Sequence, residues 1–205
     1  MTFEKNVFIN CPFDDEYMQS LRVLLFLIIK LNFEPRISLE RSDSSEYRLD
    51  KIISLIEKSK FSIHDLSRIK AKKMNEYYRL NMPFELGIDL GRKKFSTREH
   101  KEKKFLVLGG KKYDYMKALS DFSGFDIKYH ESNPKVLLTE VRNWFIGNAE
   151  LKGIPGPSKL WGEYCEFNAR FYDERKSDGF SESEISKISV PEFISYVKEW
   201  CSNRT

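Results

Sequence analysis

Along the first 150 residues the hydrophobic pattern switches repeatedly between a β-type run and a helical period. "NVFIN" (6–10) is a short apolar β-type run; the loop "CPFDDE" follows, and residues 17–31 then read as a helix. "FEPRIS" predicts a second, weaker strand, which Pro35 confines to a sheet edge or to a short length. From 45 to 58, Leu49, Ile52, Ile53, Leu55 and Ile56 recur at helical spacing, with Arg48, Asp50 and Lys51 on other faces. "KFSIHD" predicts a third strand and a charged connection covers 69–79. A helix follows from Pro83 to Gly91, with proline near its start and glycine near its end. "KFLVLG" (104–109) gives a fourth strand and, after a polar helix and turn, "FDIKYH" (125–130) a fifth. "NPKVLLTEVRNWFIGN" reads as an amphipathic helix capped by Asn133, with Pro134 in its first position.

Five strands separated by helices predict right-handed crossovers. The fold class is therefore α/β: a doubly wound, mostly parallel five-stranded sheet covered on both faces. At "LKGIPGPSKLW" the Gly/Pro density jumps and the strands stop; 159–175, 181–187 and 190–201 predict helices, the last opened by Ser189 three residues before Glu192. A boundary near 150 follows, with an α/β domain at 1–150 and a C-terminal helical extension at 151–205. Trp161, Tyr164, Phe167, Phe171, Phe193, Tyr196, Val197 and Trp200 lie at near-helical spacing. They predict that the extension packs on the sheet domain, with an oligomer interface or a lid as the alternative.

Charge alters this picture little. Against 35 basic residues stand 31 acidic ones, for a formal charge of +4, and the two kinds are interspersed, which argues against a nucleic-acid partner. The densest basic runs, 68–73 and 92–104, read as solvated loops or as a phosphate-attracting rim. Cys11, Cys165 and Cys201 are odd in number and lack CxxC spacing, so neither a disulfide framework nor a zinc site is suggested and a reducing compartment fits. The N-terminus does not read as a signal peptide, and the longest apolar stretch, "VLLFLII" (23–29), is too short to span a bilayer. The expectation is a soluble cytoplasmic protein, off the membrane, with no metal and no cofactor.

In such a sheet, ligands sit outside the carboxyl ends of the strands. No GxGxxG follows the first strand and no GxxxxGK[ST] occurs, so the dinucleotide fingerprint and the P-loop are both absent. The loops hold instead Asn10, Phe13, Asp14 and Asp15, then Glu40, Arg41 and Asp43, then His64, Asp65, Ser67 and Arg68. Taken singly, Asp14, Asp43 and Asp65 read as helix caps and turn formers. Their convergence on one sheet edge suggests a site. Alternation along "FSIHD" sends Phe61 and Ile63 to one face and Ser62 and His64 to the other, leaving Asp65 at the strand tip within reach of a ligand. His64 then has a structural role or lends a hydrogen bond to the cleft. Glu85, expected in the first turn of its helix, has two readings. It complements the helix dipole, or, flanked by Met82, Pro83, Phe84, Leu86 and Ile88, it is a carboxylate in an apolar wall with a raised pKa. Such a group can polarise a ribose hydroxyl, stabilise an oxocarbenium-like centre or attack an anomeric carbon.

The N-terminal strand with its short polar loop, Asp65 ending the third strand and Glu85 in an "[AP]FELG"-like context resemble the nucleoside 2-deoxyribosyltransferase family. They also resemble the related TIR domains that cleave the glycosidic bond of NAD. "VFINCPFDDEY", "LERSDSSEYRLDKIISLIEKSKFSIHDLSR" and "RLNMPFELGIDLG" look more closely still like a group of bacterial proteins described only as nucleotide-binding or TIR-like, over residues 5 to 200. The resemblance implies that Glu85 is the catalytic glutamate and that Asp65 positions the base or the ribose. Asn10, Phe13 and Asp14 would face sugar or phosphate, and Arg48, Ser67, Asn81 and Met82 complete the ligand-binding set. It implies a nucleotide ligand, NAD or similar, assembly into a homo-oligomer, and a part in antiphage defence. "NCPF" stands where the transferases have "GP", and the WC-type context of many TIR glutamates is missing. Two functions stay open: an N-glycosidase or ribosyltransferase, and a non-catalytic module that binds a nucleotide signal or a partner protein. A third is a structural protein whose polar cleft is incidental.

Overall fold

A computed structural model describes residues 2–41, 43–69, 71, 74–75, 80–96, 99–117 and 119–204. Five strands, β1 (Asn6–Asn10), β2 (Glu34–Ile37), β3 (Phe61–Asp65), β4 (Lys104–Gly109) and β5 (Lys128–Tyr129), form one sheet in the order β2-β1-β3-β4-β5, with every pairing parallel. This is a doubly wound α/β sheet whose strand order reverses beside β1, the place where such folds open a crevice. Pro35 lies on the edge strand β2, where its missing N–H costs no ladder bond in the interior. At the other edge β5 is shorter than the expected 125–130. The amide of Ile127 bonds the Phe125 carbonyl at 3.1 Å, so the chain there is spent on a local turn around the packed rings of Phe122 and Phe125.

Helices α1 (Asp15–Lys30) and α4 (Pro134–Asn148) cover one face of the sheet, meeting Val7, Ile9, Phe61, Ile63, Leu106 and Leu108. Asp14 caps α1 through the Tyr17 amide, and Asn133 caps α4 through the amides of Lys135 and Val136, as the sequence predicts for Asn133. The opposite face carries α2 (Arg48–Glu57) and α3 (Asn81–Phe95). Phe8 packs there on Ile52, Leu55 and Ile56, and Val107 on Met82 and Leu86. The connection expected over 69–79 falls largely outside the described residues.

Two boundaries of α3 differ from expectation. It begins at Asn81, so Pro83 is its third residue, a position where the missing N–H is one of the four that have no helical partner anyway. It also runs through Gly91 to Phe95. A glycine costs a helix about 1 kcal/mol, and Arg92, Lys93 and Lys94 complement the carbonyl end.

The C-terminal helices α5 (Pro157–Ser177), α6 (Glu182–Ser186) and α7 (Val190–Ser202) form a third layer on α1 and α4. Their apolar residues join the same continuous core as the sheet. This explains "VLLFLII": every residue from Val23 to Ile28 is buried because α1 lies between the sheet and a second helical layer. The Phe26 ring meets those of Tyr164, Phe167 and Trp200 with centroids 5.4–5.5 Å apart. One turn to either side, Arg22 donates to the Ile185 carbonyl at 2.7 Å and Lys30 pairs with Glu163 at 3.0 Å. Among the described residues no helix is long and apolar enough to cross a membrane.

Candidate functional site

The carboxyl ends of β1 and β3 carry two buried polar clusters, one on each face of the sheet. On the α1 side, Asp65 is fully buried: its carboxylate accepts from the Tyr17 hydroxyl at 2.5 Å and the Ser67 amide at 2.7 Å, and lies 3.0 Å from His130 Nε2. Burial works to raise its pKa, but His130, Ser67 and Tyr17 outweigh it and hold the carboxyl below the usual range. Burial, with the negative Asp65 adding to it, pushes the Tyr17 phenol well up. Cys11, also buried, is raised by burial and by the charges of Asp65, Glu85 and Asp14 around it.

On the α2/α3 side the strand alternation brings Asn10 and His64 side by side, since they are register partners in the β1–β3 ladder. Asn10 Nδ2 bonds both His64 Nδ1 at 3.1 Å and the Met82 carbonyl at 2.8 Å. His64 Nε2 is 3.2 Å from Asp89 Oδ2, and the fully buried Lys103 ammonium is 3.1 Å from Asp89 Oδ1. Lys103 also donates to the carbonyls of Ile56 and Ser59. The run 92–104, expected to be solvated or a phosphate rim, thus supplies a core cation at Lys103. Burial tends to raise the Asp89 pKa, but His64 and Lys103 more than compensate and keep it low.

Glu85 lies on the same stripe of α3, four residues before Asp89. It is only 5 % exposed, and among the described residues no hydrogen bond reaches its carboxylate. It lines an open cleft of about 220 Å³ with Tyr47, Arg48, Leu49, Ile52, Asn81 and Phe84. Tyr47 and Phe84 are 69 % and 57 % exposed, so two aromatic rings stand at the rim of a cleft with a carboxylate in its wall. Burial pushes the Glu85 pKa from 4.5 up to about 7, with Arg48 opposing the rise. Glu85 is the fifth residue of α3, beyond the first turn in which the helix dipole favours a carboxylate, and its shift is opposite to the one a dipole produces.

The expected site residues therefore divide. Glu85, Arg48 and Asn81 share the cleft. Asn10 and Met82 stand behind its wall, joined to each other by the hydrogen bond above. Asp65 and Phe13 belong to the α1 side, Phe13 packing partly buried against the main core. Asp14 caps α1 and Ser67 turns the chain after β3 through Asp65. Asp43 accepts from the Ser45 amide and hydroxyl. Asp14, Asp43 and Asp65 thus all do cap or turn work. Tyr47, Asp89, Lys103 and His130 were not singled out. Asp89 had a signal, the four-residue spacing from Glu85; Lys103 had none in "EHKEKK".

Removing one partner of the buried pair leaves the other uncompensated, so Asp89→Asn is expected to cost about 3–5 kcal/mol in urea unfolding. Asp89→Leu combined with Lys103→Met is expected to recover most of that loss. A cost under about 1 kcal/mol for the single change would show that the pair is not desolvated as described.

Among the described residues no group of three or more His, Cys, Asp and Glu side chains is placed to hold a metal ion. No family model, curated protein or solved structure matches the chain.

Proposed function

We propose that this protein cleaves the N-glycosidic bond of a nucleoside or nucleotide in the cleft between α2 and α3, with Glu85 as the reacting carboxylate. The observation that carries this reading is Glu85 itself: a nearly buried carboxylate, hydrogen-bonded to nothing described, in the wall of a cleft rimmed by aromatic rings. Burying a charge that Arg48 offsets only in part costs stability, and such a group in a cleft is a candidate for chemistry. In the proposed reaction the C1′–N bond breaks and its electron pair leaves with the base. The sugar carbon takes oxocarbenium character and is stabilised, or bonded, by the Glu85 carboxylate. Water then adds to that carbon; its proton goes to a base that leaves as an anion, or to solvent where, as with nicotinamide, the base leaves neutral.

Size narrows the substrate. Pockets that enclose a drug-sized ligand run from about 300 to 1,000 Å³, so a cleft of about 220 Å³ suits a nucleoside portion, with any phosphates extending outward. Arg48 and the amide of Asn81 are the polar groups placed to meet ribose hydroxyls or the first phosphate. NAD is the first compound to try, on the resemblance to glycosidic-bond-cleaving TIR domains.

The test is incubation of the purified protein, at high concentration, with NAD and a panel of nucleosides and nucleotides, followed by mass analysis for free base. Release of nicotinamide, or of a purine or pyrimidine, by wild type and not by Glu85→Gln is the expected result. A compound that binds tightly and is recovered intact would favour the non-catalytic module. Neither release nor binding would remove the proposal.

A further inference from the structure

Among the described residues, no side chain caps the first turn of α3. Its N-cap residue, Leu80, makes no side-chain capping bond, and no acidic residue lies in that turn. Yet Glu85 must be held against the cleft to within a fraction of an ångström to act on a sugar carbon. Besides the apolar contacts of Met82 and Leu86, a buried chain ties the helix to the sheet, running from the Met82 carbonyl through Asn10 and His64 to Asp89. Met82 lies three residues before Glu85 and Asp89 four after it, so the two tie points straddle Glu85 on one face of α3, about 10 Å apart along the helix axis. Their other ends are on β1 and β3, the most central place in the sheet.

The hydrogens of this chain have one consistent arrangement. The Met82 carbonyl can only accept, so the Asn10 amide turns its NH₂ toward it, and the second N–H of the same group donates to His64 Nδ1. His64 therefore carries its hydrogen on Nε2 and donates it to Asp89. Edge contacts from Phe8 and Phe105, each with centroids 5.9 Å from the imidazole, hold the ring in that orientation. A chain of this kind is weak evidence for stability, because well-packed apolar side chains in its place are often as stable or more so. It does fix the rotation and register of a helix, which apolar contacts alone leave looser.

We propose that Asn10, His64 and Asp89 are positioning residues: a buried relay, backed by Lys103, that sets α3 on the sheet so that Glu85 is presented to the cleft. The role of Glu85 in bond cleavage rests on the reading above; its placement by the relay does not.

The test compares wild type with Asn10→Ala, His64→Gln and Leu55→Ala. Leu55 packs on the same sheet face without a polar contact in the chain, and its truncation controls for lost stability. The readout is the titration of the Glu85 carboxyl carbon in ¹³C-glutamate-labelled protein, assigned by the signal missing from Glu85→Gln. Among the described residues, the charged or titratable groups that interact with it are Arg48 of α2 and Cys11 of the loop after β1. Once the relay is cut, the helix shifts and water reaches the carboxylate. Asn10→Ala and His64→Gln should then titrate about one pH unit or more below wild type, and Leu55→Ala should follow wild type. If Asn10→Ala does not fold, Asn10→Ser supplies the same comparison. An unchanged Glu85 titration in the relay variants, or an equal change in Leu55→Ala, overturns the proposal. On any substrate found to release base, the relay variants should lose about 100-fold in kcat with KM nearly constant. If wild type releases no base, the glycosidase reading fails while the titration still decides the relay.

Discussion

Glu85→Gln is expected to abolish turnover and at the same time to stabilise the protein above neutral pH. Removing a carboxylate that acts on the sugar carbon should lower kcat by several orders of magnitude, on the order of the loss seen when a nucleophile is deleted, with substrate affinity little changed. The stability effect follows from the titration. The folded pKa of Glu85 is raised from 4.5 to about 7, so between those values the native state holds a proton that the unfolded chain has lost. Stability therefore falls as pH rises through this window. The full penalty is present above about pH 7 and absent below about pH 4.5. At about 1.4 kcal/mol per pH unit, the interval corresponds to about 3 kcal/mol. Wild type should lose this much between pH 4.5 and 8 relative to Glu85→Gln, and the two should have equal stability in acid. Wild-type turnover should rise over the same interval, as the carboxylate ionises. A Glu85→Gln protein that is less stable at every pH and fully active would move Glu85 from the chemistry to the scaffold.

The strand and helix order was legible because each element carries its own period. β1 and β4 centre on short apolar runs, β3 alternates apolar with buried polar residues, and α2 shows a single apolar stripe. Boundaries were less legible where a local signal was overruled. Gly91 resembles a helix end, but nothing after it breaks the helix until Phe95. "FDIKYH" alternates like a strand, but Phe125 and Ile127 close a turn before pairing can begin. Partners from distant segments were the hardest to read. Glu85 could be recognised as a carboxylate in an apolar wall from its neighbours alone. That Asp65 would be enclosed by Tyr17 and His130, residues 48 and 65 positions away, depends on the sheet bringing α1 and the end of β5 together. Lys103 is the extreme case. Its burial depends on Asp89 and on two carbonyls at the end of α2, none of which mark the sequence around it.

Truncation after Gly153 should leave a sheet domain that aggregates or melts far below the full chain. The apolar core does not stop at residue 150: Leu160, Tyr164, Phe167, Phe171, Phe193, Val197 and Trp200 are buried in the same cluster as the inner face of the sheet. Their removal uncovers Phe26, which has no exposed surface in the full chain, together with the apolar residues of α1 around it. Each large side chain returned to water costs about 1.5–3 kcal/mol. Three or four of them are enough to match the whole stability of an ordinary domain, about 5–15 kcal/mol. The polar anchors go as well: Lys198 to Glu34 on the edge strand, Lys30 to Glu163, and Arg22 to the carbonyls of Ile185 and Ser186. Phe26→Ala in the full chain separates this loss from any harm done by cutting. It keeps the third layer but empties its contact with α1, and is expected to cost about 3–5 kcal/mol in urea unfolding. A soluble 1–153 fragment with unchanged melting, or a Phe26→Ala protein as stable as wild type, would mean that the C-terminal helices rest on the domain without supporting it.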